Sequence, residues 1–106
     1  DKLADVLARS GQWMGDLNWR MPLFAPYRSL LKSNVADMAN ASDGVAGAVT
    51  AALCLQRFVG DIPWAHLDIY AWKDSASGAF AEAGGTGQGI FAVSEALQKI
   101  SAQADF

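Results

Sequence analysis

The segment from Lys32 to Ile69 constrains the fold most, because it joins three different patterns in a fixed order. Ser33 to Gly44 is rich in Ser, Asn, Asp and Gly, which favour turns and caps. Val45 to Val59 is mostly apolar with helical spacing, and Gly60 to Pro63 contains the residues that end a helix. Trp64 to Ile69 has the composition of a short strand. This order predicts part of an α/β domain, with the strand inside the sheet.

The helix from Val45 to Val59 carries apolar residues around much of its circumference. Val49 and Leu53 widen its apolar stripe, so we expect burial on most faces. The main stripe consists of Ala48, Ala51, Ala52, Leu55, Phe58 and Val59. We expect Ser42 or Asp43 to cap the first turn of this helix.

The other helices and loops are predicted from the spacing of apolar residues and from the positions of proline. Leu3, Val6 and Leu7 predict a helix from about Asp1 to Met14. Two prolines predict an extended connector from Asn18 to Pro26, followed by a short helix over about Ala25 to Leu31. Tyr70 to Gly89 loses periodicity and reads as a long loop. A last helix is predicted from about Gln88 to Ala102, with an apolar register formed by Ile90, Val93, Leu97 and Ile100.

Composition narrows the class of protein. A chain of 106 residues can bury one modest core, so we treat residues 1–106 as a single region. The net charge is −3 without a basic stripe, which argues against a nucleic-acid partner. The longest apolar run, Val45 to Leu55, is far shorter than the roughly 20 residues that span a bilayer. Cys54 has no partner for an internal disulfide and reads as a small buried hydrophobe, typical of a reducing compartment.

Several short motifs occur in an order that resembles the C-terminal part of the catalytic domain of the leucyl (cytosol) aminopeptidases, peptidase family M17. Trp19-Arg20-Met21-Pro22-Leu23 is similar to a segment of that family. The other matching pieces are Ser33-Asn34-Val35-Ala36-Asp37, Ala46 to Leu53, Arg57-Phe58-Val59 and Trp64-Ala65-His66-Leu67-Asp68-Ile69. The resemblance implies a fragment of a three-layer α/β/α metallopeptidase domain, mostly helical within this chain, with about one or two short buried strands.

The family's Asn-Thr-Asp-Ala-Glu-Gly-Arg motif is absent from this sequence. The resemblance therefore implies that the metal ligands and catalytic arginine lie before Asp1, that no catalytic or metal-binding residue is present here, and that the chain alone is inactive. It further implies a full-length cytoplasmic enzyme that removes N-terminal residues from peptides. Such an enzyme would use two divalent ions, zinc or manganese, and assemble as a homohexamer without membrane or nucleic-acid partners.

Tyr70 and Trp72 are the candidate substrate-binding residues. They follow the C-terminal end of the predicted strand, which is where ligand-contacting residues of open α/β sheets lie. In the family the residues after His-Leu-Asp-Ile line the pocket for the substrate's first side chain, although this chain has a shorter segment there. The other interpretation is that both are core aromatics.

Two other polar sets could carry chemistry. His66 and Asp68 would share one face of the strand and could hold a metal or act as a base with its orienting carboxylate. The competing interpretation is a structural histidine held by hydrogen bonds. Asp37, Asn40 and Asp43, with Asp68, could supply oxygen ligands to a hard cation, but their spacing fits no EF-hand loop and turn or cap roles explain them.

The glycine-rich stretch from Gly84 to Gly89 opens the last helix. Helix N-termini bind anions, so this stretch could hold one. It has neither the Lys-Ser/Thr pair of a P-loop nor the preceding strand of a dinucleotide fingerprint. Close backbone packing is the alternative interpretation.

A function of a different class also fits the sequence. The chain could be a non-catalytic, mostly helical interaction or structural module. In that case Trp13, Trp19 or Trp72 would contact the partner.

Overall fold

A computed structural model describes residues 1–106 and contains three α-helices, one 3₁₀ helix and a pair of two-residue strands. In chain order the elements are α1 (Lys2–Met14), the 3₁₀ helix (Ala25–Leu31), α2 (Gly47–Val59), β1 (Trp72–Lys73), β2 (Gly84–Gly85) and α3 (Ile90–Ser101). The chain divides into two compact units. Unit 1 comprises Asp1–Arg20 and Leu67–Phe106, and unit 2 comprises Met21–His66.

Unit 1 is built on the packing of α1 against α3. The buried residues of α1 are Val6, Ser10 and Gly11, and those of α3 are Ala92 and Ala96. A Cβ placed on Gly11 would stand 3.5 Å from the Ala92 Cβ, so the two helices approach each other through small residues. Small side chains at the contact let the helix backbones come close.

The apolar register expected for α3 is only partly covered, since Val93 and Ile100 are half-buried. Ile90 and Leu97 are 64% and 59% exposed, whereas the neighbouring Ala92 and Ala96 are each 1% exposed. The sequence pattern weights large apolar residues, but the close approach of α1 selects the alanine face. Large apolar side chains of α3 consequently remain uncovered within this chain.

Unit 2 has its core between the 3₁₀ helix and α2. The core consists of Leu31, Val49 and Leu53, and Leu53 is fully buried. Half-buried side chains pack around this core, namely Tyr27, Ala46 and Cys54. The Arg28 guanidinium donates a 2.7 Å hydrogen bond to Gln56 Oε1, which joins the same two elements at the surface.

The expectation that α2 is buried on most faces is wrong for this chain. Leu55 and Phe58 of the expected stripe are 46% and 75% exposed, while Val49, Thr50 and Leu53 are buried. The 3₁₀ helix covers only the side that carries Val49 and Leu53. The apolar pattern of α2 is therefore wider than the surface that unit 2 provides to cover it.

The predicted cap of α2 by Ser42 or Asp43 is also wrong. The N-cap residue is Ala46, in a left-handed conformation with φ 66°, and no side chain caps the helix. The Ser42 hydroxyl instead donates to Thr50 Oγ1 at 3.4 Å. Thr50 in turn donates to the carbonyl oxygens of Ala46 and Gly47. The Ser42 hydroxyl is therefore linked through Thr50 to the first turn of α2.

No strand forms from Trp64 to Ile69, contrary to the prediction. A strand requires a neighbour that pairs with its backbone, and no other segment of this chain pairs with these residues. The strands that do form lie in the expected loop, where Trp72 pairs with Gly85 and Lys73 with Gly84 in antiparallel register. The fold is mostly helical with short strands, as the family resemblance implies, but the strands are not buried, because Trp72 and Gly85 are exposed and Lys73 and Gly84 are half-buried.

The predicted bounds of the first two helices agree closely with the structure. Gly15 ends α1 with φ 69°, the left-handed conformation that glycine adopts without a Cβ penalty. Pro26 lies in the first turn of the 3₁₀ helix, where its missing N–H costs nothing. None of the helices combines the length and apolar character needed to cross a membrane.

Candidate functional site

An open cavity of about 440 Å³ lies within unit 1, and both sequence-predicted site residues line it. Tyr70 and Trp72 contribute aromatic surface, as do Phe80 and Phe91. The charged residues of the lining are Asp16 and Lys73. Thr86 and Gln88 add polar groups, so the lining mixes aromatic and polar side chains, as small-ligand sites do.

The exposed fractions of Tyr70 and Trp72 test the alternative interpretation, in which both are core aromatics. Tyr70 is 74% exposed and Trp72 is 51% exposed, so neither belongs to the core of this chain. Trp72 is held by pairing of β1 with Gly85, whereas Tyr70 lies outside regular structure. Their role in substrate binding remains a prediction.

Ala71, between the two aromatics, has an unusual backbone conformation. Its φ is 50°, in the left-handed region that costs a residue with a Cβ about 1 kcal/mol or more. Its N–H donates to Gln88 Oε1 at 3.3 Å, and its carbonyl accepts from the Thr86 N–H at 2.9 Å. Both backbone groups of Ala71 are thus held by the glycine-rich stretch that precedes α3.

The side-chain carboxylate of Asp16, which follows α1 in sequence, lies at the start of α3. The Gly89 N–H donates to Asp16 Oδ1 and the Ala92 N–H donates to Asp16 Oδ2, each at 3.0 Å. These bonds lower the pKa of Asp16, with Gly89 contributing most, then Ala92, while partial burial opposes them. The anion anticipated at this helix N-terminus is therefore an internal side chain.

Sequence reasoning missed Asp16 as part of this site. A local signal exists, since Asp16 directly follows the glycine that ends α1. Its partners, however, are separated from it by 73 and 76 residues, and no spacing rule connects them. Close backbone packing does not require glycine at Gly89, because a Cβ there would stand at an ordinary contact distance of 3.9 Å from Leu67 and Ile69 side-chain carbons. The φ of 89° is what favours glycine at this position.

Lys73 is the cation of the cavity lining. Its ammonium lies 5.3 Å from the centre of the Phe80 ring, a cation–π distance, and donates a hydrogen bond to Ser77 Oγ. Both charges of the lining are engaged within the protein, Asp16 by the α3 amides and Lys73 by Ser77 Oγ and the Phe80 ring. The lining therefore combines aromatic side chains with two charged groups that already have partners.

The residues considered for metal binding do not converge. No group of three or more His, Cys, Asp or Glu side chains lies close enough to hold an ion. His66 Nε2 is buried without a hydrogen-bond partner, so the structure does not supply that bond for the structural histidine expected there. Asp37, Asp43 and Asp68 are exposed. The donor set of this chain does not fit a two-metal site.

Comparison with known proteins gives the family. Residues 1–94 match the model of the cytosol aminopeptidase family, catalytic domain. A probable cytosol aminopeptidase from Roseiflexus castenholzii is 48% identical over 100 residues, covering 92% of this chain and 20% of that protein. Another from Acidovorax sp. (strain JS42) is 54% identical over 79 residues, covering 73% of this chain and 16% of that protein.

Solved structures agree with the sequence relatives. The cytosol aminopeptidase from Coxiella burnetii superposes with a TM-score of 0.84 at 46% identity, covering 93% of this chain and 22% of that one. The bottromycin maturation enzyme BotP in complex with Mn gives 0.87 at 38% identity, covering 95% and 23%. The chain belongs to the cytosol aminopeptidase family, peptidase M17, and has the α/β fold of part of its catalytic domain. It spans about a fifth of the length of the curated relatives it matches.

Proposed function

We propose that this chain forms the C-terminal part of the catalytic domain of a two-metal aminopeptidase that removes N-terminal residues from peptides. The observation that carries the proposal is the family match over residues 1–94, together with coverage of about a fifth of each relative. In this proposal the longer polypeptide supplies the metal ligands and catalytic residues. The 106-residue chain alone is inactive.

The proposed contribution of this chain is a wall of the substrate pocket. Tyr70 and Trp72 line the same cavity and offer aromatic surface for the first side chain of a peptide. The lack of a converging donor set means that no metal-dependent step is assigned to residues of this chain. Its residues bind and orient the substrate.

Further properties of the full-length enzyme belong to the same proposal. Two divalent ions, zinc or manganese, would polarise the scissile carbonyl and activate a water when bound by the rest of the domain. Manganese has support from the BotP complex, whose name records that ion. The family resemblance implies a peptide substrate, assembly as a homohexamer and a cytoplasmic location. The net charge of −3 without a basic stripe and the short apolar runs argue against nucleic-acid and membrane partners.

The test compares the full-length polypeptide with the 106-residue chain. Both are purified and assayed for hydrolysis of a leucine anilide with added manganese or zinc. Turnover by the full-length polypeptide alone is expected. Turnover by the 106-residue chain, or none by the full-length polypeptide, would contradict the proposal.

A pair of substitutions tests the pocket assignment in the full-length polypeptide. Trp72→Ala removes aromatic surface from the cavity, so KM for the leucine anilide should rise. Trp19→Ala is the matched control, because Trp19 is 90% exposed and does not line the cavity. Equal effects of the two substitutions would remove Trp72 from the pocket.

The non-catalytic module remains the second candidate, and one observation favours it. Trp13 and Trp19 are 78% and 90% exposed, and exposed tryptophans are common anchors of protein interfaces. A module would be a stable monomer as the isolated 106-residue chain, with low binding of an apolar dye. Light scattering and dye fluorescence on that chain separate the two candidates.

A further inference from the structure

We infer that Asp16 is a positioning residue of the candidate pocket, acting through the glycine-rich turn before α3 on Tyr70 and Trp72. The inference rests on the proposed function for its kinetic test. Asp16 itself lines the cavity, but its two carboxylate oxygens are engaged by main-chain amides. It therefore shapes the pocket without offering its charge to a ligand.

The first link joins Asp16 to the turn. One oxygen accepts from Gly89 and the other from Ala92, so the carboxylate spans the boundary between the turn and the first turn of α3. Gly89 is held in a left-handed conformation with φ 89°. A hydrogen bond from an amide to an ionised carboxylate is about twice as strong as a neutral one. The turn is therefore fixed against α1 by charge-assisted bonds.

The second link joins the turn to the pocket aromatics. Thr86 and Gln88, in the same turn, bind the carbonyl and the N–H of Ala71. These two bonds retain Ala71 at φ 50°, a conformation that an alanine leaves readily when it is not held. Tyr70 and Trp72 flank Ala71, so the backbone angles of Ala71 decide where their rings point. Release of the turn lets both rings reorient.

A purely structural cap would behave differently from a positioning residue. Loss of a cap lowers the folded fraction and so lowers the apparent rate for every substrate alike. Loss of ring positions weakens contacts made by a large first side chain and spares a small one. The two roles therefore differ in how KM and kcat respond to substrate size.

The decisive variant is Asp16→Asn in the full-length polypeptide, because asparagine keeps the shape but loses the charge and one acceptor. Asp61→Asn, at an exposed aspartate of unit 2, is the matched control. KM for a leucine anilide should rise by up to about tenfold, because the strength of the lost charge-assisted hydrogen bond limits how far the pocket can be disturbed. KM for an alanine anilide and both kcat values should change less than about twofold.

A uniform fall in kcat for both anilides with KM unchanged, or no change at all, would overturn the inference. Should Asp16→Asn fail to fold, hydrogen exchange of the Trp72 and Lys73 amides in Gln88→Ala decides, because this variant removes the acceptor of the Ala71 N–H without touching the α3 cap. KM is not the measurement there, since Gln88 itself lines the cavity, and exchange equal to that in Asp61→Asn would overturn the inference.

Failure of the proposed function would be distinguishable, since the wild-type full-length polypeptide would then hydrolyse neither anilide. Hydrogen exchange measured by mass spectrometry then decides the positioning role. The segment Tyr70–Lys73 should exchange faster in Asp16→Asn than in Asp61→Asn. Equal exchange in the two variants would overturn the inference.

Discussion

The Asp16 carboxylate and the Gly89 amide are joined by a 3.0 Å hydrogen bond across 73 residues of sequence. The bond places a negative charge at the N-terminus of α3, where the helix dipole favours it. It also gives unit 1 a titratable contact between its two chain segments. The stability of the unit should consequently depend on pH.

Asp16→Ala should lower the free energy of unfolding at pH 7 by about 1 kcal/mol, the usual cost of losing an N-terminal cap. The folded-state pKa of Asp16 lies below its ordinary value of 3.8, so its ionised form stabilises the fold above that value. The contribution is lost as pH falls through the folded-state pKa. Urea unfolding at pH 7 and near pH 3 should show the difference between wild type and variant shrinking at acid pH.

The control for this measurement is Asp61→Ala, which alters an exposed aspartate. Its effect should be small at both pH values. A wild-type to Asp16→Ala difference that stays constant from pH 7 to pH 3 would contradict the role of the charge.

The left-handed conformation of Ala71 predicts an unusual response to glycine. Replacing an alanine by glycine in ordinary coil costs about 0.4–1 kcal/mol through the entropy of the unfolded chain. At Ala71, with φ 50°, glycine also relieves backbone strain of about 1 kcal/mol, so Ala71→Gly should be neutral or stabilising.

Ala65→Gly is the matched control, since Ala65 is not among the residues with positive φ and its replacement should destabilise. Thermal unfolding of both variants compares the effects. Equal destabilisation would show that Ala71 is not strained in solution.

Leucines two residues apart on α2 should differ sharply in their importance. Leu53 is fully buried in the core of unit 2, so Leu53→Ala should cost about 2–5 kcal/mol. Leu55 is 46% exposed, and Leu55→Ala should cost less than about 1 kcal/mol. Denaturant unfolding of the 106-residue chain measures both. Similar costs would mean that another surface covers Leu55 in solution.

Predictions from the sequence agree with the structure where the interactions involved are local in sequence. Gly15 ends α1, and Pro26 lies in the first turn of the 3₁₀ helix. Both residues act within one helical turn, so the sequence alone predicts these boundaries. The burial of Leu55 depends on which surface faces α2, and helical spacing does not specify that surface. The same limit applies to α3, where helical spacing does not specify that Ala92 and Ala96 are buried while Ile90 and Leu97 are exposed.

The residues of the candidate site also differ in whether a local sequence signal identifies them. Tyr70 and Trp72 could be proposed because they follow a recognisable motif, and the structure places both on the cavity. Asp16 and Ala71 could not be proposed, since one acts through contacts remote in sequence and the other through a dihedral angle. The strand from Trp64 to Ile69 had the right composition, but composition does not supply a pairing partner.

Metal binding by the isolated chain should be weak. Tight structural zinc needs about four converging nitrogen or sulfur ligands, and no group of three suitable side chains exists here. Titration calorimetry of the 106-residue chain with zinc should show no stoichiometric high-affinity event. Tight binding at one ion per chain would contradict this and direct attention to His66 and Asp68.

The exposed apolar side chains of α2 predict association of the isolated chain. Phe58 is 75% exposed beside Leu55, a surface that favours contact with other apolar groups. Phe58→Ser should lower both apolar-dye fluorescence and light scattering, whereas Phe106→Ser, outside α2 and 38% exposed, should change them little. Unchanged dye binding in Phe58→Ser would exclude this face as the cause.

The division of unit 1 into two separate stretches of sequence has a consequence for the order of folding. The contact between Asp16 and Ala92 closes a loop of 76 residues, and the entropy of closing a loop rises with its length. Residues 21–66 form one continuous unit whose contacts join shorter separations, so they can fold first and shorten the effective loop. During synthesis α1 emerges long before α3, so the side of α1 that packs on α3 lacks that contact until α3 has left the ribosome. Chaperone binding at α1 in nascent chains would be one outcome of that delay.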